Sequence, residues 1–273
     1  MTGLASEGPA GRGHARGNGH GGCLLALAEL LSDLRTRPRF IDEPPSCDDA
    51  GRASTLAQQA GLVLVEGLGV SITRSGEDAA KALDEGDLDG FSMALRAHAP
   101  YAAVLDALGA RGRLPRSRIP AGAFGAGMRV TPREAVALAW MAVGLGQAYT
   151  GPGSFRDGSA RPDAPTVARA VTDAFDALAQ DGLAKVSDMI PRLCAELRMS
   201  PWALARAIPD AVASGALSHL DMSPAAGGPV DSRDRVLAMG ERGWELDPVP
   251  LDRFHLGQRP IFTIARRATA RGG

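Results

Sequence analysis

Aromatic side chains make up only 4% of this chain, although 45% of its residues are hydrophobic. A core so short of Phe, Tyr and Trp has to be built from Ala, Leu and Val, and that composition suits helices. Cysteine is scarce as well: Cys23, Cys47 and Cys194 are odd in number, far apart, and free of any CxxC or Cys/His spacing. Neither a disulfide framework nor a zinc site is supported, and a reducing cytoplasm fits best. No apolar run reaches the length of a membrane span, and the start lacks the basic-then-apolar order of a signal peptide, so no membrane partner is expected. A net charge of -1 rules out a uniformly basic coat, and any nucleic-acid site must therefore be a local patch. The motifs of catalysis are missing too: no GxxxxGK[ST] loop, HExxH helix or GxSxG elbow occurs, and the five histidines stand far apart. The expectation is a non-enzymatic protein with no cofactor and no metal.

With 273 residues, the chain has room for two or three small domains. Residues 1–22 are Gly-rich, with Arg12, His14, Arg16 and His20 among them, and read as a disordered tail. Leu24, Leu27, Leu30, Leu31 and Leu34 then mark one face of a helix, followed by Arg35, Arg37 and Arg39 and a loop fixed by Pro38, Pro44 and Pro45. Asp48 or Asp49 can cap a second helix that stops at Gly61. Leu62–Val65 and Val70–Ile72 read as a hairpin around Glu66–Gly69, and Ser75 with Asp78 reads as the capping box of the next helix. Gly67 and Gly69 give only GxG, without the third glycine or the strand-to-helix order of a dinucleotide site. The acidic run from Glu77 to Asp89 reads as a solvated helix face.

The order GLVLVEGLGVSITRSGEDAAKAL resembles the wing of a bacterial winged-helix domain: Gly-Leu-Val, a Gly-containing turn, a strand ending in Ile-Thr, then a helix. The resemblance spans Leu24 to Leu83 at most and implies a unit over residues 23–98. It departs from the family in showing two helices before the hairpin where three are expected.

Residues 99–150 resemble a second, degraded unit of this kind. Pro100 punctuates two helices, a Gly/Pro-rich link follows, and Thr131-Pro132-Arg133-Glu134 starts a strongly capped, largely apolar helix. Arg113, Arg116, Arg118, Arg129 and Arg133 around that link are the candidate phosphate contacts to DNA. The competing reading pairs them with the acidic run before them. Gly151 to Pro165, polar and rich in breakers, is either a linker or a wing tip.

The clearest pattern lies in Thr166 to Leu217. Val167, Val171, Ala174, Phe175 and Leu178 form one apolar stripe, and Val186, Met189, Ile190, Leu193 and Leu197 a second. Pro191 interrupts the second, so that helix is expected to start near Met189 or to kink. Ser200 and Pro201 open a third helix. Three helices with a tight turn between the last two make a helix-turn-helix, and a hairpin pairing Val236–Met239 with Ile261–Ala265 would make residues 166–273 a third winged unit. An ordinary three-helix bundle has the same helix pattern. Trp244 reads as a core anchor, and Arg253, His255, Arg259, Arg266, Arg267 and Arg271 make a second basic stretch. The sequence thus implies a mainly α chain with small β-hairpins, in tandem winged-helix-like units, acting as a DNA-binding regulator. The alternative is a protein-interaction module of the same shape.

Overall fold

The computed structural model describes residues 21–36, 39–40, 48–67, 69–124, 130–224, 234–241 and 243–267. Arg129, Cys47, Arg271, the tail to residue 20 and the three prolines at 38, 44 and 45 lie outside them.

The described elements fall into three stretches, each opening with a helix and a short strand and each containing a three-stranded antiparallel sheet. The first begins with α1 (Gly21–Thr36), which buries the five leucines of the predicted stripe. After β1 (Arg39–Phe40) comes α2 (Asp48–Gln59), ended by Gly61 at φ 69°, a left-handed position that suits glycine. The hairpin of β2 (Val63–Glu66) and β3 (Gly69–Ile72) follows, and the sheet order is β1-β3-β2. Two appended helices, α3 (Arg74–Asp84) and α4 (Leu88–Leu95), complete the unit. The cap of α3 is Thr73 rather than Ser75: its Oγ1 accepts the Gly76 N–H and donates to the Gly61 carbonyl. Its backbone N–H also reaches the Leu62 carbonyl, so Thr73 is clamped to the preceding turn and the helix starts there.

In the second unit α5 (Ala99–Arg111) leads to β4 (Arg113–Pro115), α6 (Pro132–Gly144) and the hairpin of β5 (Ala148–Gly151) and β6 (Ser154–Asp157), in the order β4-β6-β5. The predicted box at Thr131 and Glu134 is present in full. Between β4 and α6 the described residues hold one 3-10 turn, Ala121–Ala123, in place of a helix.

The third unit has α7 (Ala164–Leu178), β7 (Leu183–Lys185), α8 (Val186–Leu197) and α9 (Pro201–Ala213). α8 starts at Val186 despite Pro191. The Val186 N–H is held by the Phe262 carbonyl and its side chain is buried, so tertiary contacts fix a start that local sequence disfavours. β8 (Leu220–Ser223) comes next, then β9 (Arg235–Gly240) with β10 (Gly243–Pro248), β11 (Phe254–Leu256) with β12 (Arg259–Ile261), and finally β13 (Thr263–Arg266). The predicted pairing of 236–239 with 261–265 does not form. β13 pairs with β7 and β8, giving β7-β13-β8, and β9 pairs with β10 as a separate ribbon. Among the described residues no helix is long and apolar enough to cross a membrane.

Two cores result, and they exchange residues. The first two units share one, from Leu24 to Phe155, and the ribbon region adds Val236, Leu237 and Val249 to it. The third unit builds the other, to which β5 contributes Tyr149. Trp202 packs against both. The predicted set Phe175, Leu193 and Ile208 does share the second core.

The Gly151 to Pro165 stretch holds the tip of the β5–β6 hairpin, all of β6 and the lead into α7. Polar contacts around it join the units: Ser200 Oγ donates to the Gly146 carbonyl at 2.8 Å, the Gly158 N–H to Gln147 at 3.0 Å, and Arg198 pairs with Asp157 at 2.6 Å. Arg161 pairs with Asp89, and Thr150 donates both its N–H and its hydroxyl to the Asp234 carboxylate.

Asp234 is buried, and burial pushes its carboxyl above the ordinary 3.8 despite the Thr150 bonds and the Arg116 charge. The folded state therefore holds this proton longer than the unfolded chain does. Stability contributed here is lost as pH rises from about 3.8 through the raised folded value. Asp234→Asn keeps an acceptor for the Thr150 N–H and removes the titration. Its urea midpoint between pH 4 and 7 is expected to fall less than that of the unmodified protein, and parallel pH profiles for the two would refute this account.

Candidate functional site

The predicted arginines do not gather on one element. Arg113 begins β4, opposite Arg156 of β6. Arg116 lies beside the tip of the β5–β6 hairpin, its N–H donating to the Gly153 carbonyl at 2.9 Å, and Arg118 is exposed two residues on. Arg133 sits apart, in the first turn of α6. Among the described residues these arginines do not pair with the acidic run, as the competing reading expects. Asp84 pairs with Arg35 and Asp89 with Arg161, and among the described residues no ion pair engages Arg113, Arg118 or Arg133. In the C-terminal stretch several charges are already used: Arg253 lies beside Asp252 and over the Phe262 ring, and Arg266 pairs with Asp176 over Phe175.

The capped helix α6 offers little surface to a partner. Ala135, Leu138, Ala139, Met141, Ala142, Val143 and Gly144 are all buried, with α5, α1 and β9 packed around them. At Gly144 an added Cβ would stand 2.6 Å from Leu24 Cδ2. The opposite face, with Val136, Ala137 and Trp140 half-buried and Arg133 exposed, carries few polar groups that could read a DNA groove. The third helix of the last unit, α9, is freer but chemically poor, exposing Arg206, Asp210 and Ala213 beside half-buried Ala205, Ala207 and Pro209.

The helix before the hairpin of the first unit, α2, differs. Ala53, Leu56 and Ala57 face the core, while Gly51, Arg52, Thr55, Gln58 and Gln59 are exposed. These five fall within one arc of the helix and carry three of the side-chain types that read base edges. Their polarity at three- and four-residue steps was the signal available in the sequence, overshadowed by the denser arginines downstream.

One flank of this arc faces α6 across a cleft of about 870 Å³. Arg52, Thr55, Leu56 and Gln59 form one wall, Arg133, Glu134, Ala137, Leu138 and Met141 the other, with Cys23 and His98 completing it. His98 is only 5% exposed. Its Nε2 lies 3.0 Å from Gln59 Oε1, an acceptor, which places the ring proton on Nε2 and leaves Nδ1 without a partner. Burial holds this imidazole below its ordinary pKa, against the Glu134 charge. Cys194 is buried in the second core, where its thiol is pushed up to about 12, so it is not a nucleophile at neutral pH. Among the described residues no group of three or more His, Cys, Asp or Glu side chains is placed to hold a metal. No protein-family model, curated protein or solved structure matches the chain.

Proposed function

We propose that this protein is a non-enzymatic, cytoplasmic DNA-binding regulator made of three winged-helix-like units, with α2 of the first unit as its groove-reading helix. The observation that carries the reading is the outer face of α2, where Arg52, Thr55, Gln58 and Gln59 stand exposed over a buried apolar face. Arginine recognises guanine, glutamine adenine and threonine the thymine methyl. The winged-helix description draws support from the strand order, first-third-second in each three-stranded sheet, and from the β2–β3 and β5–β6 hairpins that directly follow α2 and α6. Arg116 and Arg118, beside the second unit's hairpin tip, supply phosphate contacts that position the duplex.

A shift assay with mixed-sequence duplex at two salt concentrations tests this. Arg116→Ala with Arg118→Ala should weaken binding to every sequence and lower the salt slope by roughly one unit per lost contact. Thr55→Ala with Gln58→Ala should leave the slope alone and reduce discrimination between sequences, by about 1–3 kcal/mol per lost bidentate contact. Unmodified protein without salt-sensitive binding would remove the regulator reading. The second reading, a protein-interaction module of the same shape, is favoured by the burial of α6 and the alanine- and proline-rich surface of α9.

A further inference from the structure

We infer that His98 is an acid-released latch: its neutral ring ties the last turn of α2 to the start of α5, and a proton on that ring lets the turn go. The inference concerns this junction alone and stands whether or not α2 reads DNA.

Placement is the first argument. Gln59 is the last residue of α2, and His98 stands immediately before α5, 39 residues further on. Their side chains meet at 3.0 Å, His98 Nε2 donating to Gln59 Oε1. The ring is buried in the wall of the α2–α6 cleft, and its Nδ1 has no hydrogen-bond partner among the described residues. The second argument is what a proton does there. It turns Nδ1 from a bare lone pair into a charged N–H with nothing to receive it. Both the charge and the unmet donor are costly away from water. Ala97 and Ala99 on either side are exposed, so a turn of the ring towards solvent relieves both and gives up the Gln59 bond.

The surrounding charges do not cancel this cost. They are Arg52 on α2, Arg133 and Glu134 on α6, and Arg96 on the ring's own stretch, which pairs with Asp106; Cys23 on α1 also titrates. Glu134 favours the proton, as does the C-terminal end of α2, whereas the start of α5 opposes it. Burial outweighs them and holds the imidazole below its ordinary 6.5. An opened form, with its ring in water, therefore takes up the proton first, and the closed form loses ground as pH falls below 6.5. The loss stops once the closed ring is itself protonated. Leu56 and Ala57 keep the body of α2 on the core, which confines the opening to the last turn.

Amide hydrogen exchange of the full chain, followed by NMR from about pH 7.5 to about pH 5, tests this. The readouts are Ala60, Gly61 and Leu62, whose N–H groups close the end of α2 on Leu56, Gln58 and Ala57. Corrected for the chemical exchange rate, their protection is expected to fall by up to about tenfold per pH unit below 6.5. Ala179, which ends α7 on the Phe175 carbonyl, should keep its protection. His98→Gln leaves a side-chain donor for Gln59 without a titration, and its protection should not change with pH. Glu134→Gln keeps an acceptor for the α6 cap and removes the charge that favours the proton, so the loss should extend to lower pH. In the unmodified chain the His98 ring should titrate with a midpoint below 6.5. If His98→Gln does not fold, the ring titration and Glu134→Gln decide. A ring midpoint at or above 6.5, protection at Ala60 to Leu62 that ignores pH, an equal loss at Ala179, the same loss in His98→Gln, or a loss unmoved by Glu134→Gln would each overturn the inference.

Discussion

Leu193→Ala is expected to lower the free energy of unfolding by about 2–5 kcal/mol, read as a shift in the urea midpoint at constant slope. Leu193 lies on α8 with no exposed surface, in the core it shares with Phe175 and Ile208. Removing three carbons there sacrifices their burial and leaves a cavity that the surrounding helices fill only in part. Against a total stability of about 5–15 kcal/mol for a typical domain, that loss is a large fraction. The same substitution at Leu183, about half exposed on β7, should change the midpoint little. Equal effects at the two positions would mean that the second core is packed around other residues.

The other large effect is expected at Gly146. This residue has φ 66°, so any L side chain there is strained by about 1–2 kcal/mol. A Cβ would also stand 2.5 Å from Trp202 Cε3, and the Gly146 carbonyl accepts the Ser200 hydroxyl. Gly146→Val therefore adds overpacking of about 1–3 kcal/mol to the backbone strain. Trp202 contacts both cores, and the damage falls on the seam between them. The unmodified protein is expected to unfold in one transition, because each core borrows residues from the other half. The variant should split into two, with Trp fluorescence and far-ultraviolet circular dichroism no longer superimposing. A single transition at an unchanged midpoint would show that the seam contributes little.

Features written in neighbouring residues were legible in the sequence. The leucine face of α1, the Thr131–Glu134 box, the Ser200–Pro201 start of α9 and the turn at Gly67 all follow from local spacing, and all appear in the structure. What failed depends on partners remote in the chain. β8, with the sequence LDMS, has no alternation strong enough to announce a strand, yet it completes the sheet with β13. The start of α8 rests on a bond to Phe262, which lies far beyond the window in which Pro191 looks disruptive. The surface of α2 was hard to single out in the sequence for a related reason. Arginine density marks a basic link, but only packing reveals that α6 turns inward and α2 outward.

The β9–β10 ribbon also imposes an order on the making of the protein. The first core ends at Phe155 among the residues of its own two units, but it is closed by Val236, Leu237 and Val249. At roughly 5–20 residues per second, a ribosome needs on the order of ten seconds to get from one to the other. Through that interval the emerging chain carries bare apolar surface where the ribbon later settles on α1 and α6. A nascent chain stalled before Val236 would therefore be a substrate for chaperones, and release would come when its own C-terminal residues displace them.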